Sequence, residues 1–275
     1  MKARAAMALF MILALCCGGG SGQSREDRRF VVLGPSLVEL MFVSGLGDRI
    51  AGVDRFSRWP EEVDSLPSVG GYMDPSLETI ASLEPTSLHM VGESAQLREF
   101  CRETGIPCYT YRFDTLQDIY DSLDSLDSRY GAGAGDFKAR IENTLDSLRG
   151  ELAGHLPLSV MVVVYHETGS GSMTVAGEKT FFADLLRSMG CTPAAPAIGS
   201  WPMVSAEGAL EMDPDHIICL YPGVEDTSSA VASEEDYWAG LGFTEDRVHC
   251  LFEPYIMIPG GRLDRIAERI STCLL

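Results

Sequence analysis

The chain of 275 residues is 45% hydrophobic, enough to bury a sizeable core as one large domain or as two lobes of ordinary size. Its 21 Lys and Arg against 40 Asp and Glu leave a formal charge of −19. That balance excludes affinity for nucleic acid through phosphate neutralisation and excludes a basic membrane-surface patch; with ordinary apolar content it describes a solvated acidic surface, not disorder.

In chain order, residues 1–17 read as an export signal. Lys2 and Arg4 precede an apolar run over 5–15 that is too short to span a bilayer. Cys16 and Cys17 end the run, and the Gly/Ser-rich stretch that follows makes 18–29 a flexible tether. The arrangement resembles a bacterial lipoprotein signal, which implies lipidation at Cys17, with Cys16 or plain cleavage as the alternatives. The expectation is a periplasmic or extracytoplasmic protein, attached to a membrane only through that lipid. Export into an oxidising compartment makes Cys101, Cys108, Cys191, Cys219, Cys250 and Cys273 candidates for disulfides, and spacing alone leaves the pairing open.

From residue 29 onward, short apolar strands alternate with helical patterns: "RFVVL", "RIAGV", "SLHMV" and "PCYTY" in the first half, "LSVMVVVY", "HIICL" and "RVHCLF" in the second. Strands separated by helices predict parallel α/β sheets with ligand sites at the C-terminal strand ends. Between the halves, Ile119, Tyr120, Leu123, Leu126 and Tyr130 keep helical spacing, "GAGAG" interrupts, and Ile141, Leu145, Leu148 and Leu152 resume it until Pro157. The reading is an N-terminal α/β lobe over 30–113, a helical linker over 114–156 and a C-terminal α/β lobe over 157–275. A helical link is stiffer than a loop and disfavours large hinge closure.

A repeat runs through both halves. Ser76, Glu78 and Pro85 recur as Ser205, Glu207 and Pro214, each set opening a helix that leads to a strand. Ser is a good N-cap, and Glu in a first turn meets the positive end of the helix dipole, a gain of about 0.3–1 kcal/mol that needs no partner. Two copies at matching places also suit a paired role on one surface.

The segment "GVDRFSRWPEEVDSLPSVGGYMDPSLETIASLEPTSLHMV" at 52–91, with "TFFADLLRSMGC" and "WPMVSAEGALEMDPDHIICL" in the second half, resembles the iron-chelate and cobalamin periplasmic binding proteins of ABC transporters, and "WPMVSAE" the cobalamin branch in particular. The resemblance covers about residues 30–275. It implies two Rossmann-like lobes with parallel sheets, joined by a long backbone helix, with a ligand cleft between them. It further implies a carrier and not an enzyme: a protein that captures a small metal chelate, either cobalamin or another corrinoid or a ferric siderophore, and delivers it to a permease dimer. Haem is the alternative cargo, and no resident cofactor or metal is expected. Phe56, Tyr72 and Trp201 fall at the family's aromatic ligand positions, while Val91 stands where the cobalamin branch has a Trp. Glu78 and Glu207 fall at the positions that meet permease arginines. Cys191 and Cys273 fall at paired positions.

By place in the chain, Trp59, His166 and Tyr255 join the ligand-binding candidates, because aromatic walls suit a large flat ligand and a neutral imidazole is a common metal ligand. Catalysis by a cleft-bound site is the rival class. No nucleophile motif supports it: "TGSGSMTVAG" at 168–177 lacks the Gly-Lys-Ser/Thr ending of a phosphate loop, and reads as a loop lining the cleft.

Overall fold

The computed structural model describes residues 29–167, 171–195 and 197–275; the expected export signal, Cys17 and the expected tether up to residue 28 lie outside them. The first sheet is four parallel strands in the order β2-β1-β3-β4, formed by β1 (Phe30–Leu33), β2 (Ile50–Val53), β3 (Ser87–Val91) and β4 (Cys108–Tyr111). Its two central strands are buried along nearly their whole length, as expected of a sheet covered on both faces, and this is why they read as continuous apolar runs. Helices α1 (Pro35–Val43), α2 (Leu77–Ser82) and α3 (Ala95–Thr104) make the connections.

The link between the sheets is a pair of helices, α4 (Leu116–Tyr130) and α5 (Ala134–Leu152). Thr115 and Asp118 close a reciprocal capping box at the start of α4, and Gly131, at φ 69°, ends it in the left-handed region that glycine tolerates. Across the break, Lys138 Nζ reaches the Asp124 carboxylate at 2.6 Å, so α5 folds back along α4. The single long helix implied by the resemblance is therefore divided at the glycine-rich interruption.

The second sheet runs β10-β9-β5-β6-β8, with the short β7 (Thr192–Pro193) also on β5. β5 (Ser159–Glu167), β9 (His216–Leu220) and β10 (Val248–Leu251) are parallel, as the apolar runs predict. β6 (Ser172–Val175) and β8 (Met203–Ser205) are antiparallel additions. The mixed second sheet refines the expectation of parallel sheets throughout. The glycines around 168–177 read as loop, but the alternation of "SMTV" buries Met173 and Val175 on one face, which is what a short edge hairpin needs. Helices α6 (Phe181–Ser188), α7 (Ala206–Met212), α8 (Thr227–Leu241) and α9 (Leu263–Thr272) complete this half.

One apolar core takes in residues from both sheets: Phe30 and Val32 of β1, Ile119 and Leu123 of α4, Ile141 and Leu145 of α5, Val160 of β5, Ile218 of β9 and Ile266 and Ile270 of α9. The halves are thus joined by packing as well as by chain. Among the described residues all six cysteines, Cys191 and Cys273 included, are free thiols. Cys191 is buried, and the Cys273 thiol donates to the Arg269 carbonyl oxygen. α9 packs onto its half through Leu263, Ile266, Ala267 and Ile270, buried along one face.

His89 in β3 is fully buried, with Nε2 2.8 Å from Ser87 Oγ and Nδ1 3.0 Å from Tyr111 Oη, and the Phe30 ring centroid at 4.8 Å. Burial first, and then the Arg129 charge, push its pKa down to about 3. The unfolded chain takes up this proton near pH 6.5 and the folded chain does not, so the group's contribution to stability is lost as pH falls from about 6.5 towards 3. The expected slope is about 1.4 kcal/mol per pH unit from this one group. Urea denaturation of wild type and His89→Gln between pH 7 and 5 measures it: the variant should lose less stability on acidification, and parallel profiles would remove His89 as the cause.

Candidate functional site

Parallel strands end together, so the loops after β1, β3 and β4 gather at one edge of the first sheet and face the second half of the chain. Between them lies a cleft of about 230 Å³ that opens to solvent. Its first wall is Val91 and Gly92 at the end of β3 and Tyr111, Arg112 and Phe113 at the end of β4; the opposite wall is Phe181, Trp201, Met257 and Pro259. The lining is mainly aromatic and aliphatic. Its charges are Arg112 and Asp114, paired at 3.1 Å, with the Arg112 side chain 72% exposed.

The backbone that shapes the first wall is closely constrained. A Cβ on Gly34 (φ 118°) would lie 2.4 Å from Val91 Cγ2, so only glycine lets the end of β1 approach the end of β3. The Gly34 N–H donates to the buried Asp54 Oδ2 at 2.8 Å. The same carboxylate accepts the Ser57 hydroxyl and, through Oδ1, the Phe56 N–H. Asp54 thereby fixes the loop after β2 and presents Phe56 outward, 58% exposed. Arg55 lies over the Phe56 ring and pairs with Asp74 at 2.8 Å, tying this loop to the one that carries Tyr72. The Tyr72 hydroxyl stands against Gly92 at the cleft wall, and burial, with the Glu93 charge second, raises its pKa.

On the opposite wall, Thr180 caps α6 and donates its hydroxyl to the Gly177 carbonyl oxygen at 2.7 Å. Gly177 in turn donates its N–H to Ser200 O, and Val175 donates to Pro202 O, which anchors the loop carrying Trp201 to the end of β6. Trp201 is 41% exposed and sits edge-on to Phe182. Asp184 of α6 accepts the Leu116 N–H at 2.9 Å, joining this wall to the start of α4.

Of the residues expected to bind ligand, Trp201 lines the cleft, and Tyr72 and Phe56 stand on loops beside it. Trp59 and Tyr255 do not line it. Their rings hold the Arg262 guanidinium between them, with centroids 5.0 and 4.6 Å away, so the aromatic positions read as ligand wall are spent on a side chain of the protein itself. His166 lies elsewhere again, in a second cavity of about 300 Å³ at the ends of β5 and β9. Its side chain is 2% exposed and its Nδ1 is 2.9 Å from Glu234 Oε1, while Nε2 is buried without a partner among the described residues.

The fully buried Glu234 also accepts from Trp238 Nε1 at 2.7 Å, from the Cys219 thiol and from the Tyr221 hydroxyl. Burial works to raise its pKa, but the hydrogen bonds from His166, Tyr221 and Cys219 outweigh it and hold the carboxyl below its ordinary value. No group of three or more His, Cys, Asp or Glu that could hold a metal ion occurs among the described residues.

Glu78 and Glu207 are both exposed, each in the first turn after a serine cap: Ser76 Oγ accepts the Thr79 N–H at 3.2 Å and Ser205 Oγ the Gly208 N–H at 3.2 Å. The two helix starts have the same construction in the two halves. Phe113, Phe181 and Met257 went unread as cleft residues; the one available signal was their place just after a strand or at a helix start.

The model of the family described as periplasmic binding protein matches residues 30–243. The vitamin B12-binding protein of Vibrio parahaemolyticus is 25% identical over 218 residues, 77% of this chain and 74% of that one. Among solved structures, a periplasmic heme-binding protein from Pseudomonas aeruginosa gives a TM-score of 0.73 at 22% identity, over 90% of this chain and 92% of that one. The siderophore-binding protein FhuD of Vibrio cholerae, solved with Fe3+–Desferal, gives 0.73 at 18% identity, over 90% and 97%. These structural likenesses concern the fold.

An aromatic wall predicts a specific loss. Trp201→Ala should weaken binding of a flat metal chelate by about tenfold, roughly the 1.4 kcal/mol that one ring contact supplies, as measured by titration. Leu210→Ala, exposed on α7 and outside the cleft, should leave the affinity within about twofold. Equal effects would remove Trp201 from the site.

Proposed function

The chain belongs to the periplasmic binding protein family, and from that premise we propose that it is the extracytoplasmic substrate-binding component of an ABC importer, capturing a metal chelate in the cleft and delivering it to a permease dimer. The observation that carries this reading is the combination in one molecule of an aromatic cleft between two sheet edges and two exposed glutamates on serine-capped helix starts, one in each half. A cleft that is mostly apolar, with few charges, suits a large planar or macrocyclic ligand that leaves part of its surface in water. A corrinoid or ferric siderophore is the preferred cargo. The chelated metal travels with the cargo and is no part of the protein.

Haem is the second reading, and one observation favours it: the Tyr72 hydroxyl stands at the cleft wall as an oxygen donor of a kind that holds haem iron, whereas His166 lies in the second cavity. Catalysis has no comparable support, since among the described residues no nucleophile and base are set together at the cleft. The signal-like first 17 residues support a lipid on Cys17 as the attachment to the membrane.

Docking follows from the glutamates. Carboxylate–arginine pairs supply register and steered association, whereas exposed pairs add little to the stability of the free protein. Glu78→Ala combined with Glu207→Ala should therefore leave thermal unfolding and chelate affinity unchanged while reducing permease binding and uptake by at least tenfold. Transport at the normal rate would return both residues to the role of helix-start charges; lost chelate binding would place them in the cleft.

A further inference from the structure

Away from the cleft mouth, the described residues hold one densely built polar cluster that touches both halves. Arg262 lies at the end of the segment that follows β10, and its side chain is 14% exposed. Its guanidinium pairs with Glu39 of α1, 223 residues away and 2% exposed, and stacks between Trp59, from the loop after β2, and Tyr255, from the loop after β10. One cation thus holds together two elements of the first half and one of the second. The backbone fits closely as well. A Cβ on Gly260 would lie 2.7 Å from Ser36 O, and one on Gly261 2.9 Å from Glu39 O, so the two glycines let the segment lie directly on α1. Arg140 of α5 then donates to Gly261 O at 3.0 Å and pairs with Asp264.

This cluster is poorly suited to stability alone. Two charges are taken out of water, Glu39 Oε2 and Arg262 Nε find no hydrogen-bond partner, and burial, the largest influence on it, raises the Glu39 pKa despite its partner. A well-packed apolar pair would hold the elements together as well or better, whereas a planar cation between two rings and a carboxylate fixes direction and distance. The segment it fixes carries Met257 and Pro259, which line the cleft.

We propose that Arg262 is a positioning residue that, through Glu39, Trp59 and Tyr255, locks the strap of residues 255–262 onto α1 and so sets the spacing of the two cleft walls. Capture then takes place between walls already at their working separation, with little closure around the ligand. The inference concerns the spacing of the lobes and holds whichever molecule the cleft takes, so it is tested on the ligand-free protein and stands apart from the carrier reading.

The test compares hydrogen–deuterium exchange and small-angle X-ray scattering of wild type, Arg262→Gln, Arg262→Lys and the double variant Glu39→Gln with Arg262→Gln. Arg262→Gln should speed amide exchange in 255–262 and along α1 at least tenfold and broaden the scattering distribution, while exchange in β5 and β9 stays at the wild-type rate, which general destabilisation would not allow. Arg262→Lys, which keeps the charge but not the planar stack, should fall between. The double variant strands no buried charge, so it should recover thermal stability yet keep the fast strap exchange and broad scattering; it decides the matter if Arg262→Gln does not fold. Wild-type strap exchange and scattering in the double variant would overturn the proposal.

Discussion

Parallel strand pairing is the constraint on which the rest of this molecule depends. Each parallel connection must return over a sheet face before the next strand can begin, so the turns that follow the strands collect at one edge. Here that edge of the first sheet supplies one wall of a cleft, and the start of α6, the Trp201 loop and the segment after β10 supply the other; what remains for the sequence to specify is which side chains stand there and how far apart the walls are held. The separation rests on α5, on an apolar core that runs from β1 through α5 to β9, and on the strap seated on α1.

Within that frame, charge and apolar surface are kept apart. The acidic excess lies largely outside the cleft, where it keeps the protein soluble and supplies the two helix-start carboxylates. The cleft itself is lined by aromatic and aliphatic side chains, and Arg112 at its wall is matched by Asp114. Carboxylates that are buried are engaged: Asp54 fixes the Phe56 loop, Glu234 orients His166, and Glu39 meets Arg262. Each fixes the placement of a neighbouring side chain or loop, which is what a buried charge with a fixed partner can do even where it adds little to stability.

Much of the fold was legible in the sequence because it depends on local pattern. The apolar runs at 29–33, 87–91, 158–165 and 216–220 became central strands, and the Ser-x-Glu repeat became two capped helix starts. What was hidden depends on long-range pairing. Trp59 and Tyr255 read as ligand aromatics because each follows a strand, and nothing near either one announces that Arg262 stands between them. The partner of His166 is 68 residues away, on a helix whose apolar pattern is weak. β6 was masked by its glycine-rich surroundings, and β8, at three residues, is too short for alternation to be visible.

A carrier binds its metal chelate and releases it unchanged. The most direct measurement exposes the purified mature protein in turn to cyanocobalamin, a ferric siderophore and haem, passes each mixture over a desalting column and records absorption spectra of the eluted protein. The account predicts that one of the three co-elutes at close to one per chain, with a corrinoid or ferric siderophore retained ahead of haem, and that it is recovered chemically unchanged. Co-elution of none of them, or recovery of an altered chelate, would contradict it.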